Sequence, residues 1–150
     1  MSYSTGEAAI LTVLRADDSF AANNTARANW KVLNSGKGTK GTYVILRPGE
    51  SSVLWISPII YMATYITVAE VWQRYTDDAT TQANLYTAVA DVMNALMPER
   101  RLNSSAITDA TVRAIPVITE MWKDSADGPS WLKQEVAVEW KEETEITFTD

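Results

Sequence analysis

From about Ile60 to Tyr75 the chain alternates, with Ile66, Val68, Glu70 and Trp72 on one side and Tyr65, Thr67, Ala69 and Val71 on the other. A period of two sustained that far does not fit the 3.6-residue helical repeat. It demands a long sheet strand, and because both sets are largely apolar, that strand is partly buried on both faces. The other elements are read around it.

Upstream, Tyr43 to Arg47 (YVILR) is β-branched and aromatic and reads as a strand that Pro48-Gly49 closes with turn chemistry; a short apolar piece, Val53 to Ile56, follows. Nearer the amino terminus, Ser4 and Glu7 form a capping-box pair ahead of Ile10, Val13 and Leu14, which predicts a helix near residues 5 to 17. Downstream, Asp77-Asp78 opens a second helix whose stripe is Leu85, Val89, Val92 and Leu96, with Pro98 as its stop. Ala110 to Trp122 reads as a further strand, and Pro116 puts it at an edge or a bulge, because proline donates nothing to a ladder. After a turn at Asp124 to Pro129, a last strand begins near Trp131, with Val136, Val138 and Trp140 alternating against Ala137, Glu139 and Lys141. The economical way to bury both helical stripes is an α+β fold: a largely antiparallel four- to five-stranded sheet with two main helices packed on one face. At 150 residues and 46% hydrophobic, the chain makes one domain spanning 1–150.

The sequence contains no Cys and no His. That removes disulfides, thiolate nucleophiles, histidine general bases and the commonest metal ligands, so the chemistry open to the chain is that of carboxylates, Lys, Tyr, Ser and backbone donors. The glycine-rich loop Asn34 to Thr42 does not match a P-loop: Gly41, spaced correctly after Gly36, is followed by Thr42 and Tyr43 with no Lys. Asp77-Asp78 reads as a helix cap, and Asp17-Asp18 and Glu142-Glu143-x-Glu145 as solvated surface. Nothing in the pattern calls for a catalytic residue, a metal or a cofactor.

Residues 53 to 72 carry one charge, Glu70, over a length that would span a bilayer. Pro58, the strand-favouring Tyr, Thr, Ile and Val, and the lack of a flanking basic cluster argue against insertion. The first residues lack the basic and apolar regions of a signal peptide, which implies synthesis in a cytoplasm.

Charge is unevenly spread. Between Ser19 and Gly49 there is no acid, yet Arg27, Lys31, Lys37, Lys40 and Arg47 lie there; the chain as a whole is −6, and its last ten residues hold four acids against one base. A basic loop and an acidic tail on one subunit suit head-to-tail contact between copies. Among the six tryptophans, Trp72 and Trp140 lie in alternating strands and are expected against the helices, whereas Trp30 and Trp131 are expected at an interface. With Arg100 and Arg101 in the loop after the second helix, the contact set is Arg27, Trp30, Lys31, Lys37, Lys40, Arg47, Arg100, Arg101, Trp131, Glu142, Glu143 and Glu145.

The order of motifs resembles the tail-terminator or tail-completion proteins of long-tailed (siphovirus-like) phages over nearly the whole chain. The residues that carry the likeness are Asn29-Trp30, the strand ending in Arg47-Pro48-Gly49, the aromatic strand leading to Tyr75, the second helix, Arg101-Leu102 and Val136-Ala137-Val138-Glu139. The resemblance implies a non-enzymatic virion protein without cofactor or membrane, made in the bacterial host's cytoplasm. It forms a hexameric ring on the tail-tube protein below, stops tube growth, and meets the head connector or stopper protein above. DNA passes through the lumen without specific binding, and an acidic lumen would suit such a conduit. The Asn34 to Thr42 loop has no counterpart in that pattern. A head-completion or other neck protein is the nearest alternative, and a monomeric binding module a more distant one.

Overall fold

The structure, a computed structural model, describes residues 3–17, 20, 25–27, 41–102, 104, 106–114, 120–123 and 130–147. Its elements are α1 (Tyr3–Ala16), β1 (Thr25–Arg27), β2 (Thr42–Trp55), β3 (Ile60–Arg74), α2 (Asp78–Leu96), β4 (Asp109–Ala114), β5 (Glu120–Lys123) and β6 (Ser130–Glu145). The sheet order is β1-β2-β3-β6-β4, with β5 on the same flank of β6 as a second short partner. All pairings are antiparallel except β1 with β2. The α+β expectation therefore holds, and the short strands β1 and β5 bring the sheet to six.

At the centre lies β3, antiparallel to β2 from Thr42↔Gln73 to Trp55↔Tyr61 and to β6 from Ile60↔Glu145 to Arg74↔Trp131. One face of these three strands presents Val44, Leu46, Ala69, Val71, Val136, Val138 and Trp140. Those residues share a buried cluster with Ile10 and Leu14 of α1 and Leu85, Val89, Val92 and Leu96 of α2, so both helices lie on that face. The stripe expected on α2 is the one buried. Its start is also as expected: Asp77 is the N-cap, its carboxylate accepting from the Thr80 amide at 2.9 Å, and the helix is over before Pro98.

Several boundaries differ from the sequence reading. Helix α1 already includes Tyr3, so Ser4 and Glu7 lie inside its first turns. Pro48-Gly49 does not end β2. A register irregularity between Pro48 and Ser51 absorbs the pair and the strand runs on to Trp55, taking in part of the apolar piece read separately. Glycine is needed there, because a Cβ on Gly49 would sit 2.9 Å from the Ile66 carbonyl oxygen. The single strand expected from Ala110 to Trp122 is instead β4 and β5; Pro116 itself, the turn at 124–129 and most of the 34–42 loop lie outside the described residues. The expected acidic tail is strand as far as Glu145.

Aromatic packing ties α1 to the sheet. Trp140 is fully buried, stacks on Tyr65 with centroids 4.5 Å apart, and donates its indole N–H to Thr67 Oγ1 at 3.0 Å. Tyr3 packs edge-on to Tyr65 and its hydroxyl donates to the Gly49 carbonyl at 2.5 Å. The Trp140 ring occupies the space where a Cβ on Gly6 would stand. Gly6→Ala should therefore displace the indole and lower unfolding stability by about 1–3 kcal/mol, read from the urea midpoint; an unchanged midpoint would contradict this packing.

Candidate assembly interface

On the sheet face turned away from the helices, β3 and β6 place Glu70 and Glu135 directly opposite each other. Two carboxylates in that position repel. Arg47, on β2, resolves the conflict: its Nε meets Glu70 Oε2 at 2.7 Å and its Nη2 meets Glu135 Oε1 at 2.7 Å. Lys133 Nζ adds a contact to Glu135 at 3.3 Å and lies over the Trp72 ring, while the Trp72 indole donates to Glu70 Oε1 at 3.2 Å. Burial by itself would raise the Glu135 carboxyl, but the hydrogen bond and charge of Arg47, aided by Lys133, outweigh it and hold the group below its ordinary value. For the Arg47 guanidinium, burial pulls down and the two glutamates push up, and the glutamates win.

Two residues expected at an interface thus turn inward. Arg47 serves the subunit's own sheet. Trp131 is only 2% exposed and packs with Tyr43, Ile45 and Trp72, edge-on to Tyr43. Trp72 was expected beside Trp140 under the helices, yet alternation within β3 sends it to the opposite face. Arg100 and Arg101 are exposed, the latter with its Nε donating to the Ile107 carbonyl at 2.8 Å. Arg27 lies on β1 opposite Leu46, and Trp30, Lys31, Lys37 and Lys40 fall outside the described residues. Among the described residues of the expected set, Arg47 and Trp131 are therefore drawn into the sheet, apart from the exposed Arg100, Arg101, Glu143 and Glu145.

What it does build is a tongue. A strand rises ~3.3 Å per residue and a helix ~1.5 Å, so helices of similar residue count cover only part of the strands they pack on. Beyond Tyr65, where Tyr3 of α1 makes contact, β2, β3 and β6 continue as a three-stranded extension: Ser51–Trp55 beside Tyr61–Tyr65 beside Trp140–Thr144. Its turn is closed by Ser57 Oγ, which accepts from the Ile60 amide at 3.1 Å, and by the Ile56 amide bonded to the Ile60 carbonyl at 2.9 Å.

The tip is apolar on both faces. Val53, Leu54, Trp55 and Ile56 are all more than half exposed, Leu54 reaching 69%, and Ile59 is exposed beside them. Trp55 packs against Tyr61, with centroids 5.2 Å apart. Contiguous apolar exposure of this kind marks a contact surface. Sequence reasoning missed it, although the signal was present: Val53 to Ile56 is apolar at consecutive positions, which in an extended strand puts hydrophobic side chains on both sides.

The acidic end of β6 lines one flank of the tongue. Glu143 and Glu145 are exposed, but Glu142 is half-buried, and its Oε2 is enclosed without a hydrogen-bond partner. Burial and then the Glu142 charge push the neighbouring Tyr65 phenol above its ordinary value. Treating all three glutamates as solvated surface is thus right for two of them.

Elsewhere, an open polar cleft of about 240 Å³ lies between α2 and the far ends of β2 and β3, lined by Phe20, Thr42, Gln73, Asn84, Thr87, Ala88 and Asp91. Among the described residues of that lining, Asp91 is the one ionisable group, and they bring no acid and base together. Among the described residues no His/Cys/Asp/Glu group is placed to hold a metal ion, and no helix is long and apolar enough to cross a membrane.

No protein-family model matches the chain, and no curated protein matches it either. Among solved structures, a chain from the virion of a native gene transfer agent particle has a similar fold: TM-score 0.58, 20% identity, over 93% of this chain and 99% of that one.

Replacing Arg47 by Met should cost about 1–3 kcal/mol, less than for a fully buried pair because Arg47 is about a third exposed, as it leaves Glu70 and Glu135 facing each other. Because folding depresses the Glu135 pKa, its contribution is complete above the unfolded value and fades as pH falls through the folded one. Urea midpoints taken from neutral pH down through the carboxylate range should fall less steeply for Arg47→Met than for the native chain.

Proposed function

We propose that this chain is a structural subunit of a phage-like particle that forms a ring, a hexamer, at the head-proximal end of a tail tube. In that place it stops tube polymerisation and joins the tail to the head connector or stopper protein. The carrying observation is the fold shared, over nearly the full length of both chains, with a component of a gene transfer agent virion. The order of sequence motifs described at the outset supports the same assignment.

The physical features fit an assembly part. Arg47, Glu70 and Glu135 serve internal sheet cohesion, while among the described residues a run of consecutive exposed hydrophobics lies on the tongue. A lone subunit leaves Val53, Leu54, Trp55 and Ile56 in water, and burying each such side chain stabilises an assembly by about 1.5–3 kcal/mol. The reading makes the chain non-enzymatic, with copies of itself, the tube protein below and the connector above as partners, and DNA passing through the lumen without specific binding. Lys37, Lys40, Lys31, Arg27 and Trp30 retain their proposed contact role with a neighbouring subunit or the ring below.

Light scattering and negative-stain imaging across a concentration series, with and without tail tubes, test the proposal. Rings that cap tube ends are the expected result; bare tube ends beside a chain that stays monomeric would overturn it. The double variant Leu54→Glu, Trp55→Glu should keep the native circular dichroism spectrum and midpoint, since both side chains are exposed, while its assembly weakens at least tenfold in concentration.

A further inference from the structure

Helix α2 carries two apolar stripes. One, through Leu85, Val89, Val92 and Leu96, is buried against the sheet. The other runs through Ala79, Ala83, Tyr86, Ala90, Met93 and Met97, at alternating intervals of four and three residues along the helix and its C-cap. That spacing holds the six on one side of a helix. The side faces outward, since all but Met93 are exposed, Tyr86 at 56% and Met97 at 57%. From Ala79 to Met97 the only charged residue is Asp91. A helix face left to water ordinarily carries charge of both signs, so this one has the composition of a contact surface.

Among the described residues, the exposed large hydrophobics lie in two places, on this stripe and at the tongue tip. The two places are complementary in shape. Tyr86 and Met97 stand about 16 Å apart along the helix axis, with the small Ala90 and the half-buried Met93 forming a low floor between them. A sheet with its side chains is about 10 Å thick, so the end of the tongue fits crosswise into that interval. Because the tip is apolar on both faces, a partner lying flat on one face would leave the other in water, whereas a seat with a wall at each end covers both.

We propose that the tongue of one copy seats its tip across the outer face of α2 of the next copy, between Tyr86 and Met97. The proposal rests on the ring reading above and specifies its joint.

Charge sets the orientation. By register, Leu54 shares a face of the tongue with Glu143 and Glu145, and Val53 and Trp55 share the other. Both glutamates are exposed, and so is Arg100, three residues beyond Met97. The Leu54 face therefore meets Met97 and Arg100, where opposite charges come together, and the Val53 and Trp55 face meets Tyr86.

A second copy is the occupant because tip and seat are unlike surfaces of the same chain. In a closed head-to-tail ring each copy gives one and receives one, so both are covered in every subunit. A twofold pair through α2 would leave the tongue in water. A twofold pair through the tongue would leave the α2 stripe in water and gather Glu143 and Glu145 beside their own copies.

The absence of native cysteine makes cross-linking direct. Leu54→Cys is combined with Met97→Cys, and Val53→Cys with Tyr86→Cys, and the assembled protein is treated with a short bifunctional thiol reagent. At least one of the two double variants should give a covalent ladder up to the ring order on a denaturing gel, while the four single variants stay monomeric. Dimers from a single variant would establish a twofold joint and overturn the proposal. So would the absence of cross-links in both double variants while light scattering shows their assembly intact, a result that leaves the ring reading standing. Ala90→Glu places a charge on the floor of the seat and should weaken assembly at least tenfold in concentration, with the urea midpoint unchanged because Ala90 is exposed; undiminished assembly of this variant also overturns the proposal. A native chain that stays monomeric even beside tail tubes overturns both the joint and the ring.

Discussion

The antiparallel ladder between β3 and β6 is the constraint on which the remainder of the molecule depends. It runs from Ile60↔Glu145 to Arg74↔Trp131, and since side chains alternate along a strand, its register assigns every residue of both strands to a face. A slip of one residue would carry Trp140 away from Gly6 and out of the helix-covered core, and would bring charged side chains of β6 into it. The cost of the correct register is the Glu70–Glu135 confrontation. Arg47 answers it from β2, the strand on the far side of β3, so a single guanidinium binds all three long strands into one body.

With the sheet held in this way, the rest is set by the different reach of strand and helix. Helices α1 and α2 cover the sheet where Val44, Leu46, Ala69, Val71, Val136 and Val138 stack, and the aromatic series Trp140, Tyr65, Tyr3 marks where α1 gives out. Past that line the strands continue with sheet hydrogen bonding intact and no described helix above them. The tongue is therefore rigid at its root through the same interactions that stabilise the core, and apolar at its tip, a combination suited to holding a neighbour in a defined position. Its two outer strands differ in character, Ser51–Trp55 uncharged and Glu142–Glu145 acidic.

How far the chain could be read in advance depended on how local each signal was. Asp77, the Leu85–Leu96 stripe and Pro98 lie within one helix and predicted α2 almost to the residue, and the alternation through Ile66 to Trp72 predicted β3 in the same way. Pro48-Gly49 misled, because turn propensity is local while the pairing of β2 with β3 on both sides of the bulge is not. Trp131 and Arg47 were expected at a surface for want of any sign in the sequence of what would stand opposite them. Residues from Tyr43 to Glu135 converge on that place, and no spacing rule reports such a meeting. The apolar tip was noticed as a charge-free stretch, but its exposure is a property of helix length relative to strand length.

By itself the sequence determined the α+β class, the two amphipathic helices, the central and final strands, and the want of any histidine or cysteine chemistry, because these depend on composition and on periods of two and 3.6 along a single segment. Only the tertiary structure decided which tryptophans are core, that Arg47 is spent within the sheet, that Glu142 Oε2 is enclosed without a donor, and that the apolar tip of β2 and β3 extends past the described helices. Each of those outcomes requires residues far apart in the chain to be brought to one place by strand register, and register is settled by the whole sheet together.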